Sequence, residues 1–383
     1  MSALRDLFSF HPKPELKELY IFTLLYSFAS SLILIFEPIF FYVEDFSLSM
    51  IAGYYAAHYL LYLILLPWGA MFASKFGLER SLAMSMPIFV VYFLMLASIP
   101  KMPSLFYIGW IVLAVFKTFF WVAYHTEISK FGDSKNRGTE ISWFYAVSRG
   151  AGVLGPVIGG VVIASFGFST LFVIAAGLSL FAVVPLLKTK EKFTPRDIEY
   201  SDPWKVILRR REVTLRWGMV GWGAHLINTA FWPIFMFIIL GATNVLGSLV
   251  SLNVLIMTFL GFLVGEMSDR LSRKKVLRLH LPFYALSCLL RPLALAPLGI
   301  LLTDMIAKAA FVGVHIPMWH RLYSKGDDQG PLTYATAVEM TVCIYKAITA
   351  LVLVGVFMVT APYAGFVIAF VLAAILGLFF VWI

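Results

Sequence analysis

Residues 265–275 read Gly-Glu-Met-Ser-Asp-Arg-Leu-Ser-Arg-Lys-Lys and lie between two long apolar runs, 247–264 before and 276–295 after. A run of about 18 or more apolar residues is long enough to cross the hydrocarbon core of a bilayer. The stretch therefore reads as a tight charged turn between two membrane helices. Arg270, Arg273, Lys274 and Lys275, with Arg278 just beyond, predict that it faces the cytoplasm. Short loops rich in Lys and Arg are retained on that side.

Composition extends this reading to the whole chain. Of 383 residues, 61% are hydrophobic and 13% charged, and the mean hydropathy is +0.87. Soluble domains carry about one quarter charged residues, so the chain is an all-α polytopic membrane protein. The net charge of +9 raises nucleic acid as a partner, but its distribution argues against that. Lys101 alone lies in a loop expected outside. Lys117, Arg149, Arg291, Lys308 and Lys346 lie inside apolar runs, and the remaining Lys and Arg fall in segments expected in the cytoplasm. The basic balance is mostly a topology signal, with some pull toward anionic lipid headgroups. Cys288 and Cys343 sit in separate apolar runs and read as small buried hydrophobes, not as a disulfide or a metal pair. The polar opening and the length of the first apolar run do not fit a cleavable signal peptide.

In order, a cytoplasmic leader covers 1–18. Six spans follow at about 19–43, 49–74, 81–99, 105–130, 139–165 and 168–187. The segment 188–216 is the longest polar stretch and reads as a cytoplasmic linker. Six more spans lie at about 217–240, 243–264, 276–295, 298–322, 331–360 and 362–383. This makes two six-helix halves, 19–187 and 217–383, with both termini inside. Ser47 or Ser49 is placed to cap span 2. Within the linker, 204–213 has the pattern of an amphipathic helix at headgroup level, or else of a solvated connector. Gly69, Gly77 and Arg80 between spans 2 and 3 echo the turn between spans 8 and 9. Lys130-Phe-Gly-Asp and Lys325-Gly-Asp-Asp echo one another between spans 4 and 5 and spans 10 and 11.

The order Gly-x-x-x-Asp-Arg-x-x-Arg-Lys, set by Gly265, Asp269, Arg270, Arg273 and Lys274, resembles the signature loop of the major facilitator superfamily of secondary transporters. Ser272 departs from the Gly usual in that family. The copy at Gly69, Gly77 and Arg80 is degraded, with Ala73 or Ser74 where the family has Asp. A second stretch, Gly152-Val-Leu-Gly155-Pro156-Val-Ile-Gly159-Gly160, resembles the Gly-Pro-x-x-Gly-Gly segment of superfamily exporters, with Ala151 in place of a Gly. Lys117 falls near the Arg that many of those exporters carry in span 4, with Trp121 where they have Gly. The resemblance implies twelve transmembrane helices in two pseudo-symmetric halves around a midplane site, working by alternating access. It also implies that spans 1, 4, 7 and 10 line the cavity, that 2, 5, 8 and 11 complete it, and that the Gly265 and Gly69 loops act as gates. The glycines of span 5 would pack helices closely and Pro156 would kink the span.

Ionisable groups inside a span are costly unless paired or facing water, so each marks a candidate site. Lys117, Trp121, Tyr124 and His125 lie at i, i+4, i+7 and i+8, on one face of span 4. Asp304, Lys308, Phe311, His315 and Trp319 share a face of span 10. Arg149, Gly152, Pro156 and Gly159 share one of span 5, and Glu339 and Lys346 one of span 11. On the family resemblance, Lys117, Arg149, Lys308 and Lys346 look into the cavity, Lys308 being the pseudo-symmetric partner of Lys117. The expected substrate-binding residues are thus Lys117, Trp121, Tyr124, Arg149, Lys308, His315, Trp319 and Lys346. Glu37, Asp304, Glu339 and His125 are the expected proton carriers, since a cavity mixing carboxylates with lysines brings their titration ranges toward neutral pH.

An excess of buried cations over deep acids predicts that an anionic group is received there. The alternatives are a multidrug/proton antiporter for lipophilic cations, a lipid or glycolipid translocator on the same scaffold, and a receptor that moves nothing. No metal-ligand spacing, Walker loop or hydrolase elbow is present in the sequence, so neither an enzyme nor a cofactor is expected. The expected setting is a prokaryotic plasma (inner) membrane, with a monomer exchanging a small-molecule substrate and protons among membrane lipids.

Overall fold

The computed structural model describes residues 14–130, 137–187, 197–270 and 273–382. Side chains are described outside 1–17, 129–149, 188–196, 215, 259–274, 315–317, 319–329 and 383. Among the described residues every regular element is a helix. The helices fall in order onto the expected spans. Span 1 is Pro14–Ile33 continued by Phe36–Val43, and spans 2 to 6 are Leu48–Phe76, Leu78–Ser98, Phe106–Lys130, Arg137–Phe166 and Phe168–Leu186. Span 7 is assembled from Val213–Met219, Trp222–Leu226, Ile227–Phe231 and Trp232–Leu240. Spans 8 to 12 are Thr243–Arg270, Arg273–Leu290, Pro297–Gln329, Pro331–Val359 and Pro362–Leu378. Nine candidate spans among the described residues are long and apolar enough to cross a membrane, and Gly150–Phe166 and Thr243–Thr258 are shorter apolar helices.

Local chemistry sets the boundaries. The Ser47 side chain accepts the Met50 N–H at 3.2 Å and caps span 2, as one of the two expected residues. Gly77, at φ +112°, turns span 2 into span 3, and Gly330, at φ +82°, separates span 10 from Pro331 at the start of span 11. A side chain at either glycine would be strained in the left-handed region.

Three boundaries differ from the sequence expectation. Span 8 remains helical through Arg270 and span 9 begins at Arg273, so the turn is confined to 271–272, which lie outside the described residues. Span 10 runs to Gln329, so the Lys325-Gly-Asp-Asp echo lies within a helix. Polar residues continue a helix once it has left the apolar layer, and the end comes only at Gly330. Its partner echo begins at Lys130 and continues into 131–136, outside the described residues. In the linker the regular helix is shorter than 204–213. It covers Asp202–Leu208, with Pro203 in its first turn, and breaks at Arg209.

Within the first half, span 1 packs on spans 5 and 6, span 3 on 4 and 6, and span 2 on 4. Within the second, span 9 packs on 10 and 12, span 8 on 10, and span 7 on 11 and 12. Among the described residues two long pairings join the halves, span 2 with span 11 and span 5 with span 8, and span 4 also meets span 11. The end of span 1, Phe36–Val43, also meets the end of span 7, Trp232–Leu240, on the side away from the linker.

Candidate functional site

Span 2 carries Tyr55, Tyr59 and Tyr62 at i, i+4 and i+7, which places the three phenols on one face across about 10 Å of helix. Each phenol meets ionisable groups from other spans. Tyr55 donates to Glu37 Oε1 of span 1 at 3.1 Å. Beside it Tyr54 donates to Tyr92 of span 3 at 3.0 Å. The Tyr59 ring is shared by two ammonium groups, Lys117 Nζ of span 4 at 5.3 Å and Lys346 Nζ of span 11 at 5.2 Å from its centroid. Tyr62 donates to Glu339 Oε2 of span 11 at 3.4 Å. The other carboxylate oxygen of Glu339 lies 3.2 Å from His125 Nε2 of span 4.

The result is a ladder at mid-depth: a carboxylate toward the side away from the linker, two ammonium groups on one ring, then a carboxylate held by a phenol and an imidazole. Spans 1, 2 and 4 of the first half and span 11 of the second supply it. Span 7 adds Trp222, over which Lys346 Nζ sits at 5.0 Å. Trp121 stacks on the His125 ring at 5.3 Å and 23°. Among the described residues neither Lys117 nor Lys346 has a carboxylate within ion-pair distance. Two cations facing one π-system from opposite halves gain cation–π attraction and repel each other. Both are half-buried, as are Glu37 and Glu339, so the ladder borders accessible space.

A second polar network lies within the second half. Its entry is the π-helical stretch Ile227–Phe231 of span 7, followed by Pro233. Pro supplies no N–H to the ladder of helix bonds, and π turns are concentrated at functional positions. The stretch presents Asn228, whose amide bonds Tyr284 and accepts from Arg291. Arg291 sits in the 3-10 turn Arg291–Leu293 forced by Pro292 and is 1% exposed. Its guanidinium lies over the Trp232 ring at 4.4 Å. Trp232 Nε1 in turn donates to Asp304 Oδ1 at 3.0 Å, and Asp304 Oδ2 takes Asn253 Nδ2 and Lys308 Nζ, each at 2.7 Å.

The structure thus separates residues that the sequence grouped. Lys117, Trp121, His125, Glu37, Glu339 and Lys346 come together, while Lys308 is paired with Asp304 four residues away on its own helix. Tyr124 stacks on Phe120 and meets Tyr26 in the first-half core, while its ring also meets Trp121 and His125 edge-on. The side chains of Arg149, His315 and Trp319 lie outside the described residues, as do those of Asp269, Arg270, Arg273 and Lys274 in the Gly265 loop. Arg80 is exposed at the start of span 3. A Cβ on Gly69 would collide with the Thr118 carbonyl oxygen, so this glycine sits where spans 2 and 4 touch.

The span 5 glycines divide between two neighbours instead of sharing one face. Gly155 and Gly159 meet Ser31 and Leu32 of span 1, whereas Gly152, Pro156 and Gly160 meet Val254, Gly247 and Thr243 of span 8. The i+4 spacing within each set explains the division. Pro156 leaves helix bonds open nearby. The Val157 N–H donates to Ser251 of span 8 at 2.9 Å, and the Ala151 carbonyl accepts from Ser31 at 3.1 Å.

Missing from the sequence-based site are Tyr55, Tyr59, Tyr62, Trp222, Asn228 and Asn253. The tyrosine spacing and the lone amides in apolar runs were the available signals.

Compared with known proteins, residues 19–329 match the family model described as Major Facilitator Superfamily. No curated protein sequence matches the chain. Two similar solved structures are of the nucleoside transporter NupG. One, of a point mutant, has a TM-score of 0.69 at 14% identity, covering 96% of this chain and 98% of that one. The other has a TM-score of 0.66 at 15% identity, with coverages of 96% and 97%. At that identity the likeness is one of fold.

Proposed function

The chain belongs to the major facilitator superfamily of membrane transporters, and from that premise we propose that it moves a small organic anion by proton-coupled secondary transport. One observation carries the reading: Lys117 and Lys346, from opposite halves, share the Tyr59 ring without a carboxylate at ion-pair distance among the described residues. Buried like charges are stabilised by a counter-charge between them. A carboxylate or phosphate received there would contact both halves at once, which alternating access requires of its substrate site. Tyr59, Trp121 and Trp222 would flank the body of the substrate.

Glu339, bonded by His125 and Tyr62, would carry the coupling proton. Its contacts come from spans 2 and 4 of the first half, so gain or loss of that proton would bear directly on the seam between the halves. Glu37, bonded by Tyr55, is the second carrier. Asp304 and Lys308 act as a paired counter-charge within the second half. The halves 19–187 and 217–383 would rock about this site. The Gly265 and Gly69 loops would gate the linker side, which would face the cytoplasm of a prokaryotic plasma membrane together with both termini, the protein working as a monomer.

The experiment is thermal stabilisation of the purified protein against small organic anions, lipophilic cations and nucleosides. A ligand that binds only the folded protein raises the midpoint with its occupancy. Stabilisation by an anion, lost in Lys117→Gln/Lys346→Gln, supports the reading. An unchanged anion response in that variant sinks it. Stabilisation by lipophilic cations alone would assign a multidrug antiporter, with Glu37 and Glu339 as the binding groups. Stabilisation by nucleosides alone would assign the neutral substrate class named for the NupG structures. Proton uptake on ligand addition, followed with a pH dye, should disappear in Glu339→Gln; its persistence would remove Glu339 from the coupling role.

A further inference from the structure

The linker is anchored to both halves. Tyr200 donates to the Ile64 carbonyl of span 2 at 3.1 Å, and its ring lies 5.5 Å from that of Trp68. The short helix Asp202–Leu208 buries Pro203, Val206 and Ile207 and packs on span 11. These are the two spans that carry Tyr59, Tyr62, Glu339 and Lys346. The helix is closed at its far end by Arg216 of span 7, which donates to the carbonyls of Ile207 and Arg209. The turn that follows is therefore held in place. It presents Arg209, Arg210 and Arg211, all exposed.

Apolar groups surround this cationic turn on the outside. Leu208 is 74% exposed, Val213 is exposed, and Trp217 is 53% exposed while stacking on Phe379 at the end of span 12. Two nearby acids turn to Lys205, and a third lies buried beside Arg211. Asp202 holds Lys205 at 2.8 Å, Glu199 lies 3.4 Å from the same ammonium, and Glu212 is 1% exposed with Arg211 at 3.9 Å. In water such a mixture is unfavourable. At a bilayer interface it is favourable, because Leu and Trp enter the acyl boundary and the guanidinium groups meet phosphates in bidentate bonds.

We infer that the turn Arg209–Arg210–Arg211, with Leu208 and Trp217, is a binding site for anionic phospholipid headgroups of the leaflet on the linker side. The site is separate from the substrate ladder. Its occupant would press the linker onto the seam formed by spans 2 and 11. Specific binding differs from general attraction to a charged surface in that it depends on the fixed turn and on Leu208 as well as on charge.

The test is the thermal midpoint of the full-length protein in neutral detergent, titrated with phosphatidylglycerol, phosphatidylcholine or glycerol phosphate. Phosphatidylglycerol should raise the midpoint of the parent. Arg209→Gln/Arg210→Gln/Arg211→Gln should need about tenfold more of it, since each surface cation contributes modestly to headgroup binding. Phosphatidylcholine should leave the midpoint unchanged, as should glycerol phosphate in Lys117→Gln/Lys346→Gln. Equal responses of parent and variant, or an equal response to phosphatidylcholine, would overturn the site. Full stabilisation by glycerol phosphate that persists in Lys117→Gln/Lys346→Gln and is lost in the triple arginine variant would show a soluble phosphate site instead and would also overturn it. If the triple variant does not fold, Leu208→Ser keeps every charge and should still shift the phosphatidylglycerol titration; an unshifted titration would overturn the proposal. Every titration is repeated in Lys117→Gln/Lys346→Gln, which removes the proposed substrate groups, so that failure of this site and failure of the anion reading are distinguished.

Discussion

Two seams join the halves of this transporter, and they are built from opposite materials. Where span 5 meets span 8, backbone touches backbone. A Cβ on Gly247 would collide with the Pro156 carbonyl oxygen, and one on Gly160 with that of Thr243. Where span 2 meets span 11, the contacts that distinguish the seam come from long side chains. These are Tyr62 on Glu339 and Lys346 over Tyr59, and a Cβ on Gly53 would find Val354 only at 4.0 Å. The pseudo-symmetry expected from the sequence would make the two pairings equivalent, yet one is a close seal of small residues and the other a seam of ionisable and aromatic groups. A repeat fixes which helices meet; the side chains decide whether the meeting is apolar and tight or polar and responsive.

The comparison breaks most severely at Gly247. Gly247→Val must push a side chain into a backbone carbonyl, and overpacking against backbone costs about 3 kcal/mol or more. Loss of monodisperse protein, or a large fall in thermal midpoint, is expected. At the other seam, His125→Ala and Glu339→Gln should be coupled, because both atoms of the pair lie in a poorly solvated contact. A double-mutant cycle by thermal denaturation should give about 1–2 kcal/mol of interaction, and additive effects would mean that the contact contributes nothing. Ser251→Ala leaves the Val157 N–H beside Pro156 without its partner across the seal and should cost about 1 kcal/mol. Gly53→Ala sharpens the contrast from the other side. It fills open space on a helix and should be neutral or stabilising by up to about 1 kcal/mol.

The smallest expected effect concerns the linker. A side-chain bond from Lys205, helped by the Glu199 N–H, holds the Asp202 carboxyl below the usual Asp range. A depressed carboxylate contributes stability above its unfolded pKa, and that contribution fades as pH falls through the folded value. Asp202→Asn should therefore lower the midpoint slightly at neutral pH, and the difference should close in acid. Solvent screening keeps it to a few tenths of a kcal/mol, roughly.

Much of the architecture was legible along the chain. Apolar runs of bilayer length, the Gly265 loop and the paired loops implied the spans and the family. The candidate site was legible only in part. Lys117, Glu339 and Lys346 stood out because a charge in an apolar run has few benign explanations. Tyr59 and Trp222 did not stand out, since aromatic residues are common in spans and their role depends on what they face. Helical spacing put Tyr124 on the face of Lys117; in the structure its ring lies between Phe120 of the first-half core and the Trp121 and His125 rings of the ladder. Lys308 looked like the mate of Lys117 by pseudo-symmetry. What that equivalence did not tell is that Lys308 is held by Asp304, four residues before it on the same helix face.

The sequence by itself determined the membrane class, the order of the spans and the family, because these follow from the length and composition of contiguous segments. Only the tertiary structure decided which charges meet across the halves, which glycines face span 1 and which span 8, and how the linker bridges spans 2 and 11. Those contacts join residues distant along the chain, and their energies depend on distances of a few ångströms that no local pattern encodes.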